Sequence, residues 1–366
     1  MRTLPAMLLI TLLVVSPLEA QKRRDEPKRP ELPAGTDVND PVAYYRHGMS
    51  RLERAPKEAA AAFYWASRLD PERPELLYAQ RVAHLISEPR RLYNYMLGVR
   101  RVVRSKEIRA LDSLYYRALM LDPYMYRQFD RLLFDRFIAA WIEEVERGRS
   151  PGTLDRALLE YHMNNYLRSA GAGMKAWLAY GERRFQDALR LYEQALEKED
   201  NKADIHANRA RIFYLIGNFA AAREEMGRAV EELRKEDEDA LVFFYESKAL
   251  YEHSIGMACE REGDIACARE AYGRALLEDL SYHPAHVRLA MLALAENDTA
   301  TALGELDLAV EIAGENAVIR TAYGATLLGA GRLEEAAEQL EKAIELEPYY
   351  AHPYLLLGRA LDGQGR

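Results

Sequence analysis

Apolar residues recur along most of this chain at intervals of three and four, in blocks about three to four turns long, broken by short clusters of Gly, Asn, Asp and Pro. No segment alternates in the manner of strands. The pattern predicts helices joined by tight turns, each helix with one apolar face, and hence an all-α chain.

The blocks repeat one another. Ala188, Ala222, Ala268, Ala302 and Ala336 stand 34, 46, 34 and 34 residues apart. Four residues after each comes Tyr192, Met226, Tyr272, Leu306 or Leu340, and seven after each comes Ala195, Ala229, Ala275, Ala309 or Ala343. Twelve residues before each stands another small residue, Ala176, Ala210, Gly256, Ala290 or Gly324, with Gly358 opening a further copy. Antiparallel helices can approach closely only where side chains are small, so this register predicts helical hairpins. Between the two helices lie Gly217-Asn218, Gly263-Asp264, Asn297-Asp298 and Gly331-Arg332, pairs suited to left-handed backbone and helix capping. Asp70-Pro71, Asp122-Pro123 and Glu347-Pro348 are predicted to stop one helix before the next begins.

A 34-residue unit with this small–large–small spacing and a Gly-Asn or Gly-Asp turn resembles the tetratricopeptide repeat, most closely from Ala203 to Arg234. The resemblance runs from about residue 169 to the end and implies a right-handed α-solenoid of about five repeats, with residues 351–362 as a capping helix. The 46-residue interval implies an insertion near Asp237–Lys248, expected to lengthen the following helix. Residues 42–168 read as divergent hairpins continuing the superhelix. There 41–74 and 92–125 carry repeat-like residues (Ala59 or Ala60, Phe63, Ala66; Tyr115, Ala118), and extra helices are expected near 75–87, 126–147 and 153–168.

Residues 1–20 hold Arg2, an apolar run from Ala6 to Val15, and Ser16-Pro17-Leu18-Glu19-Ala20, which resembles a secretory signal cleaved after Ala20. That predicts a periplasmic or secreted protein, an uncleaved membrane anchor being the alternative. Residues 21–41, rich in Lys, Arg, Glu and Pro, read as a disordered linker. The net charge of −8 argues against nucleic acid as the main partner, but the charge is uneven. Residues 1–150 carry 26 basic and 20 acidic side chains, whereas 151–366 carry 24 and 38. The densest basic stretch, Arg90, Arg91, Arg100, Arg101, Arg104, Lys106 and Arg109, suits a solvated helix face or contact with an anionic membrane, a glycan or other polyanion, or an acidic partner.

The family resemblance implies a concave groove, lined by the first helix of each hairpin, that holds a protein or peptide partner. Helical geometry places the candidate stripe three residues before, one after and four after each small residue. It gives Trp177 and Tyr180, then Arg211 and Tyr214, then His253 and Met257, then Val287 and Met291, with Asn208 and Arg288 at its border. An aromatic, cationic and Met-rich stripe suits an amphipathic peptide; packing between repeats is the competing role for its aromatics. The Lys and Asn pair with which some family members grip a C-terminal carboxylate is absent from the stripe. Cys259 and Cys267 fall on opposite sides of one turn, compatible with a disulfide or with two buried thiols. The His283-Pro284-Ala285-His286 run lacks a third metal ligand, and no motif for catalysis or for a cofactor stands out. The expected function is therefore a non-catalytic interaction scaffold of the cell envelope. Tyr354, Leu355, Leu356 and Leu357 also leave the capping helix apolar enough for self-association.

Overall fold

The computed structural model describes residues 26–148, 171–198, 202–235 and 247–365; the apolar leader, the segment 153–168 and most of the expected insertion lie outside the described residues. Within them the chain forms eighteen α-helices and no strand. The first hairpin pairs α1 (Pro41–Arg51) with α2 (Pro56–Leu69). The second pairs α3 (Pro74–Ile86) with α6 (Lys106–Leu121), and α4 (Pro89–Met96) and the single turn α5 (Arg100–Val103) are inserted between them. Next, α7 (Asp130–Glu146) packs on α4. Five hairpins follow: α8 (Ala172–Gly181) with α9 (Phe185–Leu196), α10 (Lys202–Leu215) with α11 (Phe219–Lys235), and α12 (Lys248–Glu262) with α13 (Ile265–Glu278). The last two are α14 (His283–Ala295) with α15 (Thr299–Ile312), and α16 (Ala317–Gly329) with α17 (Leu333–Leu346). The terminal α18 (Ala351–Gly363) covers α16 and α17, leaving Tyr354 and Leu355 exposed while Leu356 is buried.

The hairpin has a repeated seat. A Cβ on Gly256 would lie 2.4 Å from the Tyr272 ring, and one on Gly324 would lie 2.7 Å from Leu340. The small residue of the first helix thus receives the large residue of the second, sixteen positions later, rather than meeting only another small one. Ala176 with Tyr192, Ala210 with Met226 and Ala290 with Leu306 occupy the same register, and all six side chains are buried.

The turns share a register as well. Left-handed backbone occurs at Arg183, Gly217, Gly263, Asn297 and Gly331, and again at Gly365 after α18. Arg183 is the member of this series that no turn-forming residue announces. Asp264 and Asp298 then cap the second helices, accepting from the amides of Cys267 and Thr301 at 3.0 Å each. The ends are equally regular: the amides of Asp70, Asp122, Asp279 and Glu347 donate to the carbonyls of Ala66, Ala118, Ala275 and Ala343. Cys259 and Cys267 are joined as a disulfide across the α12–α13 turn, with Cα atoms 5.8 Å apart.

Three expectations are corrected. The helix at 75–87 is no extra element: α3 is the first helix of the hairpin closed by α6, and the inserted part is 87–105. The insertion before Lys248 does not lengthen the following helix, because Ser247 is extended (φ −95°, ψ 160°) and its side chain caps α12 at Leu250 N. Residues 26–40, read as part of a disordered linker, lie against the first hairpin. The Trp65 indole donates to Pro27 O at 3.0 Å, and the Arg29 guanidinium sits 4.8 Å from the Trp65 ring centre and 5.2 Å from that of Tyr44.

The two ends of the superhelix meet. Tyr349 packs edge-on against Trp65 with ring centres 4.9 Å apart, Arg68 pairs with Glu347 at 2.5 Å, and Tyr350 bonds Glu72. Burial pushes the Glu347 carboxyl up to about 7, against the opposing pull of Arg68 and Arg117. Its folded value lies above its free value of 4.5, so its contribution to stability is complete at acid pH and is lost as pH rises through about 7. Unfolding by urea should therefore show a loss on the order of 1–3 kcal/mol between acid and mildly alkaline pH that Glu347→Gln flattens. A second prediction separates seat from surface. Gly256→Ala should destabilise by about 1–3 kcal/mol through overpacking on Tyr272. Gly304→Ala, with nothing within 4 Å of its added Cβ, should stabilise by up to about 1 kcal/mol in the same thermal or urea titration.

Candidate partner-binding face

The concave face divides into a covered half and an open half. The loop between α6 and α7 is unusually aromatic, Pro123-Tyr124-Met125-Tyr126-Arg127-Gln128-Phe129, and it lies across the first helices of the hairpins that follow. Tyr124 is fully buried, stacks on Tyr214 with ring centres 3.9 Å apart and planes within 2°, and donates its hydroxyl to Ser254 O at 2.9 Å. Arg211, 2% exposed, donates to Pro123 O at 3.3 Å and to Asn208 Oδ1 at 3.0 Å. Arg127 donates to the same Asn208 oxygen at 2.9 Å, and its amide donates to the Tyr180 hydroxyl at 3.0 Å. Trp177 rests edge-on against Phe134 and donates to Asp130 Oδ2 at 3.4 Å.

Trp177, Tyr180, Asn208, Arg211 and Tyr214 are thus brought together as one stripe, and residues 122–134 of the same chain lie on it. Arg211 carries a charge that burial would penalise severely without partners; two carbonyl-type oxygens receive it. Front hairpins and middle hairpins consequently share one core, which includes Leu77, Ile108, Tyr124, Ala210, Leu250 and Tyr282.

The remaining candidates line the open half. A cavity of about 360 Å³ is bounded by α12, α14 and the start of α16 on one side and by α6 with the Pro71-Glu72 turn on the other. His253, Met257, Val287, Arg288 and Met291 line it from the predicted stripe. Val318, Ile319, Met120, Leu121 and Arg117 also line it, with Pro71, Glu72, His283, Pro284 and Asn316. A neighbouring cavity of about 620 Å³ continues along Met291, Leu294, Thr321 and Ala325 toward Tyr350 and His352.

The polar groups here differ in role. His253 is 1% exposed between the rings of Tyr272 and Tyr282, and burial, with Arg288 and His283 adding to it, pushes its pKa down to about 3. It is a neutral imidazole at physiological pH, and its Nδ1 has no hydrogen-bond partner among the described residues. Arg288 is committed to Glu260 and the Tyr272 hydroxyl, at 3.0 and 3.3 Å. Arg117 projects into the cavity and, among the described residues, makes no ion pair within 4.0 Å. The open half therefore presents Met and aliphatic surface beside Arg117, with Glu72, Arg288, His283 and Asn316 also in its wall.

His206 and His286 act elsewhere. Each shares a hydrogen bond with the glutamate nineteen positions later, Glu225 at 2.8 Å and Glu305 at 2.7 Å, tying the two helices of its hairpin. Among the described residues no three His, Cys, Asp or Glu side chains converge as metal ligands.

Helical spacing along the repeats does not point to Arg117, Met120, Leu121, Glu72 or Tyr350. They come from elements up to 278 residues apart, which a 34-residue period cannot relate. The one available signal was the loop 123–129: so many aromatic side chains in a connection imply that it is buried.

Comparison with known proteins bears on the repeats. A tetratricopeptide-repeat family model matches residues 174–238, and a second matches residues 318–350. No curated protein matches the chain. Among solved structures, MamA is 19% identical with a TM-score of 0.39, covering 47% of this chain and 94% of its own. YrrB, described as a tetratricopeptide-repeat protein with an unusual peptide-binding site, is 18% identical with a TM-score of 0.38, covering 56% and 97%. The TPR2AB domain of yeast Sti1, solved as a complex with pHSP90, is 21% identical with a TM-score of 0.26, covering 53% and 83%. The assignment rests instead on the two family matches and on the hairpin register that joins them. Residues 174–238 and 318–350 are thus tetratricopeptide repeats, and the described residues fold as an all-α solenoid of that type.

Proposed function

We propose that this protein is a scaffold of the cell envelope that holds an extended or helical peptide segment of a partner in the open half of its concave face. Tetratricopeptide repeats serve protein–protein interaction and are generally non-catalytic, which supports a protein or peptide as the partner. The observation that carries the narrower reading is the cavity between α6 and α14, where Met257, Val287 and Met291 face Met120 and Leu121 beside Arg117. Flexible thioether side chains adapt to apolar anchors of varied shape, and a guanidinium in the cavity wall favours a carboxylate next to such an anchor. The covered half supports the same conclusion by subtraction, since Trp177, Tyr180, Arg211 and Tyr214 already hold residues of their own chain.

The envelope location is motivated by the leader-like residues 1–20. A Cys259–Cys267 disulfide is compatible with that location, since such bonds persist in oxidising compartments. N-terminal sequencing of the protein from fractionated cells should find Gln21 first, in the envelope or medium. Retention of Met1 in a soluble cytoplasmic fraction would reject this location.

Selection from a random-peptide library should enrich sequences pairing an apolar with an acidic residue. Met291→Lys or Val287→Lys should weaken them by about 1–3 kcal/mol in calorimetry. Tyr214→Ala should instead lower unfolding stability by about 2–3 kcal/mol, by removing the stack under Tyr124, while leaving peptide affinity within about twofold. The reverse pattern, with affinity lost at Tyr214 and unchanged at Met291, would place recognition in the covered half and overturn the proposal.

A further inference from the structure

The insertion between α3 and α6 is not used by the concave face, and its surface is unlike the rest of the molecule. Met96, Leu97 and Val99 are 46%, 49% and 39% exposed, and with Gly98 and Arg100 they form an unbroken exposed run at the tip. The tip has a fixed shape. Gly98 takes φ +66° with open space around it, Leu97 N donates to Tyr93 O at 3.1 Å, and Val99 N donates to Asn94 O at 2.9 Å. Leu92, Tyr93 and Ile108 anchor its base in the core.

Basic residues flank these apolar ones along the chain. Residues 88–109 contain seven Lys and Arg against two Glu. Glu88 pairs with Arg91, and the Arg90 side chain is 68% exposed. Arg100, Arg101, Arg104, Lys106 and Arg109 are exposed.

We infer that this tip is a peripheral docking element for an anionic lipid bilayer. The run 96–100 lines neither cavity of the concave face, so its apolar side chains are offered as open surface and not as a pocket. A bilayer interface supplies apolar depth for Met96, Leu97 and Val99 and, at the headgroup level, anionic phosphates for the surrounding guanidinium groups. Among the described residues no helix is long and apolar enough to cross a membrane. This inference is independent of the groove reading and survives its failure.

The test is a local one, so that residues 1–20 do not obscure it. Because Cys259 and Cys267 are bonded to each other, Leu97→Cys supplies a single reactive thiol for an environment-sensitive fluorophore. With the full-length protein, phosphatidylcholine vesicles containing phosphatidylglycerol should shift its emission to the blue, and brominated acyl chains should quench it. Phosphatidylcholine alone should do neither. High salt should weaken the response. A label at Leu277→Cys, whose parent leucine is 84% exposed on α13, should stay in water. Reversing Arg100, Arg101 and Arg104 to Glu should lower partitioning read at residue 97 by at least about fivefold per arginine. Vesicle binding without a blue shift or quenching at residue 97 would overturn the inference, showing either adhesion by charge alone or attachment elsewhere. So would an equal response to neutral vesicles, or no binding at all.

Discussion

Everything in this molecule depends on two helices being able to approach where the first carries a small residue. Gly256 and Gly324 leave no room for a Cβ beside Tyr272 and Leu340, so the large side chain fills the space a side chain would otherwise take. The interlock fixes how the helices of a hairpin cross, and therefore how each hairpin presents its outer face to the next. Left-handed residues at 183, 217, 263, 297 and 331 return the chain at the same point each time. Repetition of one local constraint is thus converted into curvature, and curvature into a concave side.

A solenoid is quasi-linear, and its stability is ordinarily a sum over neighbours. This one is tied across its length. The loop 122–130 joins α6 to the hairpins that carry Tyr214, Asn208 and Ser254, and the Glu347–Tyr350 turn reaches back to Arg68 and Glu72. Such contacts between distant repeats couple their unfolding, because breaking one leaves buried tyrosine and arginine groups without partners. The concave face is the place where that coupling is made, so the surface free for a partner is narrower than the repeats alone would suggest.

The parts legible in the sequence were those governed by short-range spacing. The seat residues, the Gly-Asn and Gly-Asp turns, the Asp-Pro stops and the helix starts of the later hairpins all sit where the 34-residue register puts them. Arg183 escaped because its left-handed backbone is imposed by the hairpin and not preferred by arginine. The pairing of α3 with α6 escaped because α4 and α5 interrupt it, so that a repeat of the ordinary kind looks like fragments of several. At the candidate site the stripe was legible residue by residue, since helical periodicity fixes which side chains share a face. Its occupancy was not, because contacts such as Tyr124 with Tyr214 and Arg127 with Asn208 join positions 81–90 residues apart through no periodic rule.

That difference also explains why the aromatic half of the stripe was the attractive choice and the methionine half is the available one. Tyrosine and tryptophan supply large contact area to whichever surface reaches them first, and here the tethered loop 122–130 is always at high effective concentration. A free partner would have to displace Tyr124 from a stacked, hydrogen-bonded and fully desolvated position before gaining anything from Tyr214. At Met291, 39% exposed at the junction of two open cavities, there is no such competitor among the described residues. Contacts from elsewhere in the chain decide which half of the concave face is covered and which half stays open.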